Sequence, residues 1–171
     1  LANTVNSAPN TNVSLTIADS GATTLGGAIG GSRELSSLLV GSTNGTTISG
    51  GAVTTTGTQT FSNAVTLAEN LTLNGAGITL GSTVNGAKTL TIVDNGATTL
   101  TGAIGHTTAL ASLTVGSTNG TSFNGATIDT TGGQTFSNAL TLGVDTTLTG
   151  NGINLANTVN SAPNTNVSLT I

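Results

Sequence analysis

The chain has 171 residues, of which two are Lys or Arg, six are Asp or Glu and one is His, for a net charge of −4. A charged fraction of 5% is far below the usual ~25%, which starves enzyme chemistry of acids and bases and leaves no basic footprint for nucleic acid or anionic membranes. The absence of Cys excludes zinc fingers, disulfide scaffolds and thiol catalysis, and no apolar run approaches the ~18 residues of a membrane span.

Repetition organises what remains. Residues 1–17, LANTVNSAPNTNVSLTI, recur identically at 155–171, a period of 154. Inside that period, residues 18–79 align without a gap on 93–154, 75 positions later. The half-repeats are therefore 18–92 and 93–171, within one domain spanning 1–171. The second is four residues longer, in the segment that holds SAPNTNV.

In chain order, a Leu/Val–x–apolar tripeptide occurs at Leu15–Ile17, Leu38–Val40, Val65–Leu67, Leu90–Ile92, Leu113–Val115, Leu140–Leu142 and Leu169–Ile171. Further apolar positions follow each of the first six, first Leu25, Ile48, Leu73, Leu100, Phe123 and Leu148, then Ile29, Val53, Ile78, Ile104, Ile128 and Ile153. Alternation of the LTI, LTV and LTL kind has period two and is rich in β-branched residues, which is the strand signature. Asn-Gly steps beginning at Asn44, Asn74, Asn85, Asn95, Asn119 and Asn124 mark turns, because both residue types tolerate positive φ. The tripeptide spacing predicts about six coils of ~26 residues per 154-residue repeat, wound as an all-β, right-handed parallel β-helix. The expected core is the outer residues of the tripeptides (Leu15, Ile17, Leu38, Val40, Val65, Leu67, Leu90, Ile92, Leu113, Val115, Leu140, Leu142) together with Phe61 and Phe136. On that register the middle residues form one outward column, Thr16, Leu39, Thr66, Thr91, Thr114, Thr141 and Thr170.

The charges offer one candidate site. Asp19, Glu69, Asp94 and Asp145 all fall just after a tripeptide, so a 26-residue coil sets Glu69 beside Asp94. In a tandem array it also sets Asp145 beside the next copy's Asp19. Stacked carboxylates repel unless a proton or a cation comes between them, and Ca²⁺ is the one cofactor the pattern suggests. The same pair has the spacing of a retaining glycosidase's carboxyls, but no Trp or Tyr is present to make a sugar platform, and no catalytic residue is assigned. His106, Lys88 and Arg33 read as isolated surface groups, with Glu34 beside Arg33.

The LTV–GSTNGT–GGAVTTTGTQTFSNAVTL segment and its second copy resemble the β-strand repeat regions of large bacterial secreted adhesins of the filamentous-haemagglutinin and autotransporter kind. The resemblance covers essentially the whole chain as a style of repeat, and no binding residue carries over from it. It implies a secreted β-helical shaft at the cell surface, acting in attachment, aggregation or a biofilm matrix. The expected partner is the chain itself, by axial continuation and by lateral bundling of a nearly uncharged surface, with a surface or glycan target at most and no nucleic acid or membrane insertion. The alternative is a ligand-binding β-helix that takes ice, glycan or Ca²⁺ on the Thr ladder or the carboxylate corner.

Overall fold

The computed structural model describes all residues from Leu1 to Ile171 and contains strands and turns but no helix. Strand pairing is parallel throughout, so the chain is a β-solenoid. It visits three faces in fixed order. Face I holds eight strands, beginning with Ser14–Asp19, Ser37–Ser42 and Gln59–Phe61. Face II starts with Thr23–Leu25 and Thr46–Ile48 and continues through the single bridges of Ile104 to Thr127–Asp129 and Thr146–Thr149. Face III runs from Val5 and Ile29 through Ala52–Thr54, Leu71–Gly75, Thr89–Asp94 and Ser112–Ser117.

Each face buries alternate residues, because side chains along a strand point to opposite sides. The clearest result is on face III, where Val5, Ile29, Val53, Leu73, Ile92, Val115, Phe136 and Leu155 stack one above another. Among the expected core residues, Leu38, Val40, Phe61, Val65, Leu67, Leu90, Ile92, Leu113, Val115, Phe136, Leu140 and Leu142 are buried. Leu15 and Ile17 are only half-buried, although packed against the core, since they lie at the end of the stack with no coil beneath.

The coil is shorter than the tripeptides suggest. Successive paired positions on face I are Leu15, Leu38, Gln59, Ile78, Thr98, Thr121, Leu140 and Val159, steps of 19 to 23 residues rather than 26. The reason is that not every strand is aliphatic. Gln59–Phe61, Ile78–Leu80 and Thr98–Leu100 occupy the same face as Leu15–Ile17, while Val65–Leu67 stacks on Thr46–Ile48 of face II and Leu90–Ile92 lies on face III. The tripeptides therefore lie on all three faces. Ser14–Asp19 is on face I, and its half-repeat counterpart Thr89–Asp94 is on face III, three turns and two faces later. The next identical segment, Leu169–Thr170, lies on face II after three more turns and two more faces. Each half-repeat makes three and two-thirds turns, and 154 residues make seven and one-third.

The longer second half does not disturb this register. Its extra residues form the Ala162–Thr165 turn, closed by Thr165 N–H on Ala162 O at 3.1 Å with Asn164 at φ +62°. The same turn closes at Ala8–Thr11, with Asn10 at +59°.

Candidate functional site

Asp94 is the one acid that the fold takes inside, with 2% of its surface exposed. The D-x-G-A-T run at 94–98 turns back on its own carboxylate, as short acidic side chains do in turns. Gly96 N–H donates to Oδ1 at 2.7 Å and the Thr98 hydroxyl to Oδ2 at 2.8 Å. The coil beneath contributes Gly77 N–H at 2.7 Å and Ile78 N–H at 2.9 Å. Ser117 above continues the polar corner, accepting from Thr98 N–H at 2.9 Å and donating to Gly120 O at 2.7 Å. This is a carboxylate held by two coils at once.

The other half-repeat builds the same corner with Asp19, Thr23, Ser42 and Thr46. Gly21 N–H and the Thr23 hydroxyl donate to Asp19 at 2.8 and 3.0 Å, and Ser42 Oγ donates to Thr23 Oγ1 at 2.5 Å. Asp19 lacks the lower coil, so it is only half-buried. Its hydrogen bonds from Gly21 and then Thr23 hold its carboxyl below the ordinary 3.8, and those from Ser168 do the same for Asp145, whose Oδ1 accepts Ser168 N–H at 2.7 Å.

The expected carboxylate pair does not form. A coil of about 21 residues carries Glu69 to the corner between faces II and III and Asp94 to the corner between faces III and I. Glu69 faces Lys88 instead, 3.5 Å away, which corrects the reading of Lys88 as unaccompanied. His106 likewise lies 3.7 Å from Asp129 in the adjacent coil. Asp145 precedes the face II strand Thr146–Thr149, whereas a following copy's Asp19 would come after the strand that begins at Leu169. Those two carboxylates therefore stand at opposite ends of face II. All four oxygen-directed donors around Asp94 leave it no vacancy as half of a cation site.

The outward Thr column also redistributes. Thr16 stacks on Leu39 and then Thr60, Thr79 and Thr99 on face I. Thr24, Thr47 and Thr66 stack on face II, and Thr72, Thr91, Thr114 and Thr135 on face III. Each face therefore carries its own single rank. Beside the face III rank the next outward positions are Thr54, Asn74, Val93 and Gly116, so no second Thr rank accompanies it.

A feature that the sequence reading passed over is the buried glutamine of each TQTF/GQTF run. Gln59 Nε2 donates to Asn74 O at 2.7 Å and Val53 O at 3.2 Å, and Gln134 Nε2 to Thr149 O at 2.9 Å and Ile128 O at 3.0 Å. Both amides tie a corner to the next coil. A Cβ on Gly75 would press on Gln59 Nε2 at 3.1 Å, which explains glycine there. The signal available in the sequence was a polar residue at an inward position, repeated 75 residues later.

Because their folded pKa values are depressed, Asp19 and Asp145 contribute stability that is complete above the ordinary carboxylate value of 3.8. That contribution is lost as pH falls through the lower folded values. NMR titration should find both carboxyls protonating below 3.8, and midpoints at or above it would contradict the hydrogen bonding described.

No family model matches the chain, and neither a curated protein nor a solved structure matches it. Its class is that of a parallel β-solenoid with a three-faced coil.

Proposed function

We propose that this chain is a segment of structural shaft in an extracellular bacterial filament or adhesin, serving attachment, aggregation or a biofilm matrix. The observation that carries the reading is the register of the repeat. A segment identical to the first 17 residues stacks onto the preceding coil at 155–171 by the same parallel pairing that joins all other coils. Stability in such a stack is a sum of neighbouring coil contacts, so length can be added without a new core being designed. Backbone ladders run along the axis, the aliphatic columns fill the centre, and the outside is a neutral surface of Thr, Ser, Asn and Gly. Weak long-range repulsion between such surfaces favours side-by-side association. Ligand recognition by the Thr ranks is the other class, and the single rank per face gives it less support.

Cryo-electron microscopy of native material, with immunogold labelling of intact cells, tests the reading. Labelled fibres on the outside with layers ~4.8 Å apart along the axis are expected. Short capped particles, or label seen only after permeabilisation, would overturn it. Thermal hysteresis in a solution of the pure protein would move the assignment to ice binding.

A further inference from the structure

The two ends of the solenoid carry complementary halves of the carboxylate corner. At the lower end Asp19 borders an open hollow with Leu1, Ile17, Ala18 and Ala22. Its interior counterpart Asp94 differs in one respect, for it also receives two N–H groups, from Gly77 and Ile78 of the coil below. The counterparts of those donors in the second half-repeat are Gly152 and Ile153, at the other end of the molecule. Gly152 has the same left-handed backbone, φ +94° against +99° at Gly77. Gly152 is exposed with nothing packed over it, and Ile153 is half-buried, whereas Ile78 is fully buried.

The turn count says what fits there. A continuing copy enters through the strand Leu169–Thr170 on face II, and its Asp19 position follows that strand into the corner between faces II and III. Gly152 and Ile153 open face III at that same corner, immediately before and within the strand Ile153–Leu155. The four extra residues of the second half lie in the Ala162–Thr165 turn, upstream of the strand, so they do not shift the corner.

We propose that Gly152 and Ile153 are the docking donors for Asp19 of a second copy of the 154-residue repeat, which stacks on the first after a rotation of one-third of a turn. This rests on the shaft reading and adds its symmetry. Identical positions on consecutive copies face three directions in succession, and the sequence returns to the same face only after three copies and 22 turns. At ~4.8 Å per turn the true axial repeat is then ~106 Å, although the sequence period advances only ~35 Å. Each outward Thr rank, and each exposed apolar residue such as Leu39 or Val93, is presented all round the shaft rather than along one side. Lateral contacts between shafts accordingly have three equivalent azimuths.

The test compares amide exchange in the 171-residue protein with that in a chain carrying residues 18–171 again after Ile171. Gly152 and Ile153 N–H groups should slow by about 100-fold or more in the longer chain, as groups moved from a frayed end to the interior do. Asp19→Ala in the second copy should return those two amides to fast exchange while the strands of both copies remain protected. Fast exchange at Gly152 and Ile153 in a longer chain whose added strands are protected would overturn the docking and leave the shaft standing. Added residues without any protection would overturn the shaft as well. Helical reconstruction of a longer array reads the rotation, and a ~35 Å repeat without a ~106 Å one would refute the one-third turn.

Discussion

Asp94→Ala should cost the fold about 4 kcal/mol, because it strips the acceptor from four donors, two of them, on Ile78 and Thr98, fully buried. Three of them are backbone N–H groups, of Gly77, Ile78 and Gly96, and the fourth is the Thr98 hydroxyl. Alanine leaves space in the corner but no acceptor, and the two coils joined by the carboxylate lose their common anchor. Asp94→Asn keeps one acceptor oxygen and turns an NH₂ toward N–H groups, so it should recover only part of the loss. Asp19→Ala removes the same residue type from the same D-x-G-A-T run but with two donors instead of four, and its effect should be much smaller. Urea unfolding of the three variants measures this order. Equal losses for Asp19→Ala and Asp94→Ala would mean that the turn, and not the bond between coils, is what matters.

The contrast also shows how far the sequence could be read. Parallel strands, turns at Asn-Gly and an aliphatic interior followed from period-two alternation and from the repeats, since both express how a stacked coil buries one side of each strand. The coil length did not follow, because Leu-Thr-Val is a generic strand signal that appears on every face. Positions equivalent to Leu38 are filled by Gln59, Thr98 and Thr121, polar residues that carry no aliphatic signal; Gln59 is held inside by Asn74 O of the next coil and Thr98 by Asp94 of its own turn. The same error of register created the Glu69–Asp94 pair. What the sequence did contain was the recurrence of Asp, Gly and Thr at 19, 21 and 23 and again at 94, 96 and 98. Of the acids, only Asp19 and Asp94 occupy matching places in the two halves, which fits a structural anchor repeated with the fold better than a site made once. Glu69 has Val144 at its matching place, and on the surface it needs only the solvent and Lys88.

Leu113→Asp should likewise remove about 4 kcal/mol or more, since it exchanges a buried aliphatic contact for an unpaired carboxyl. Leu113 is 1% exposed and lies between Leu90 and Gln134 in the stack, neither of which supplies a positive charge. The introduced group is ionised in the unfolded chain above ordinary carboxylate pKa values but is pushed toward its neutral form by burial. Its folded pKa is therefore raised, so the penalty is largest near neutral pH and shrinks as pH falls through that raised value toward the unfolded one. The loss should also be local at first, because each coil is held only by the coils above and below it. Hydrogen exchange should quicken in Thr89–Asp94, Ser112–Ser117 and Gln134–Phe136 before it does in Ser37–Ser42. Leu39→Asp is the control, for Leu39 points outward and is 41% exposed between Thr16 and Thr60; a surface change of that kind stays within about 1 kcal/mol. If the two substitutions cost the same, side chains at 39 and 113 do not point to opposite sides of their strands, and the register that builds the core, the Asp94 corner and the one-third turn together would be wrong.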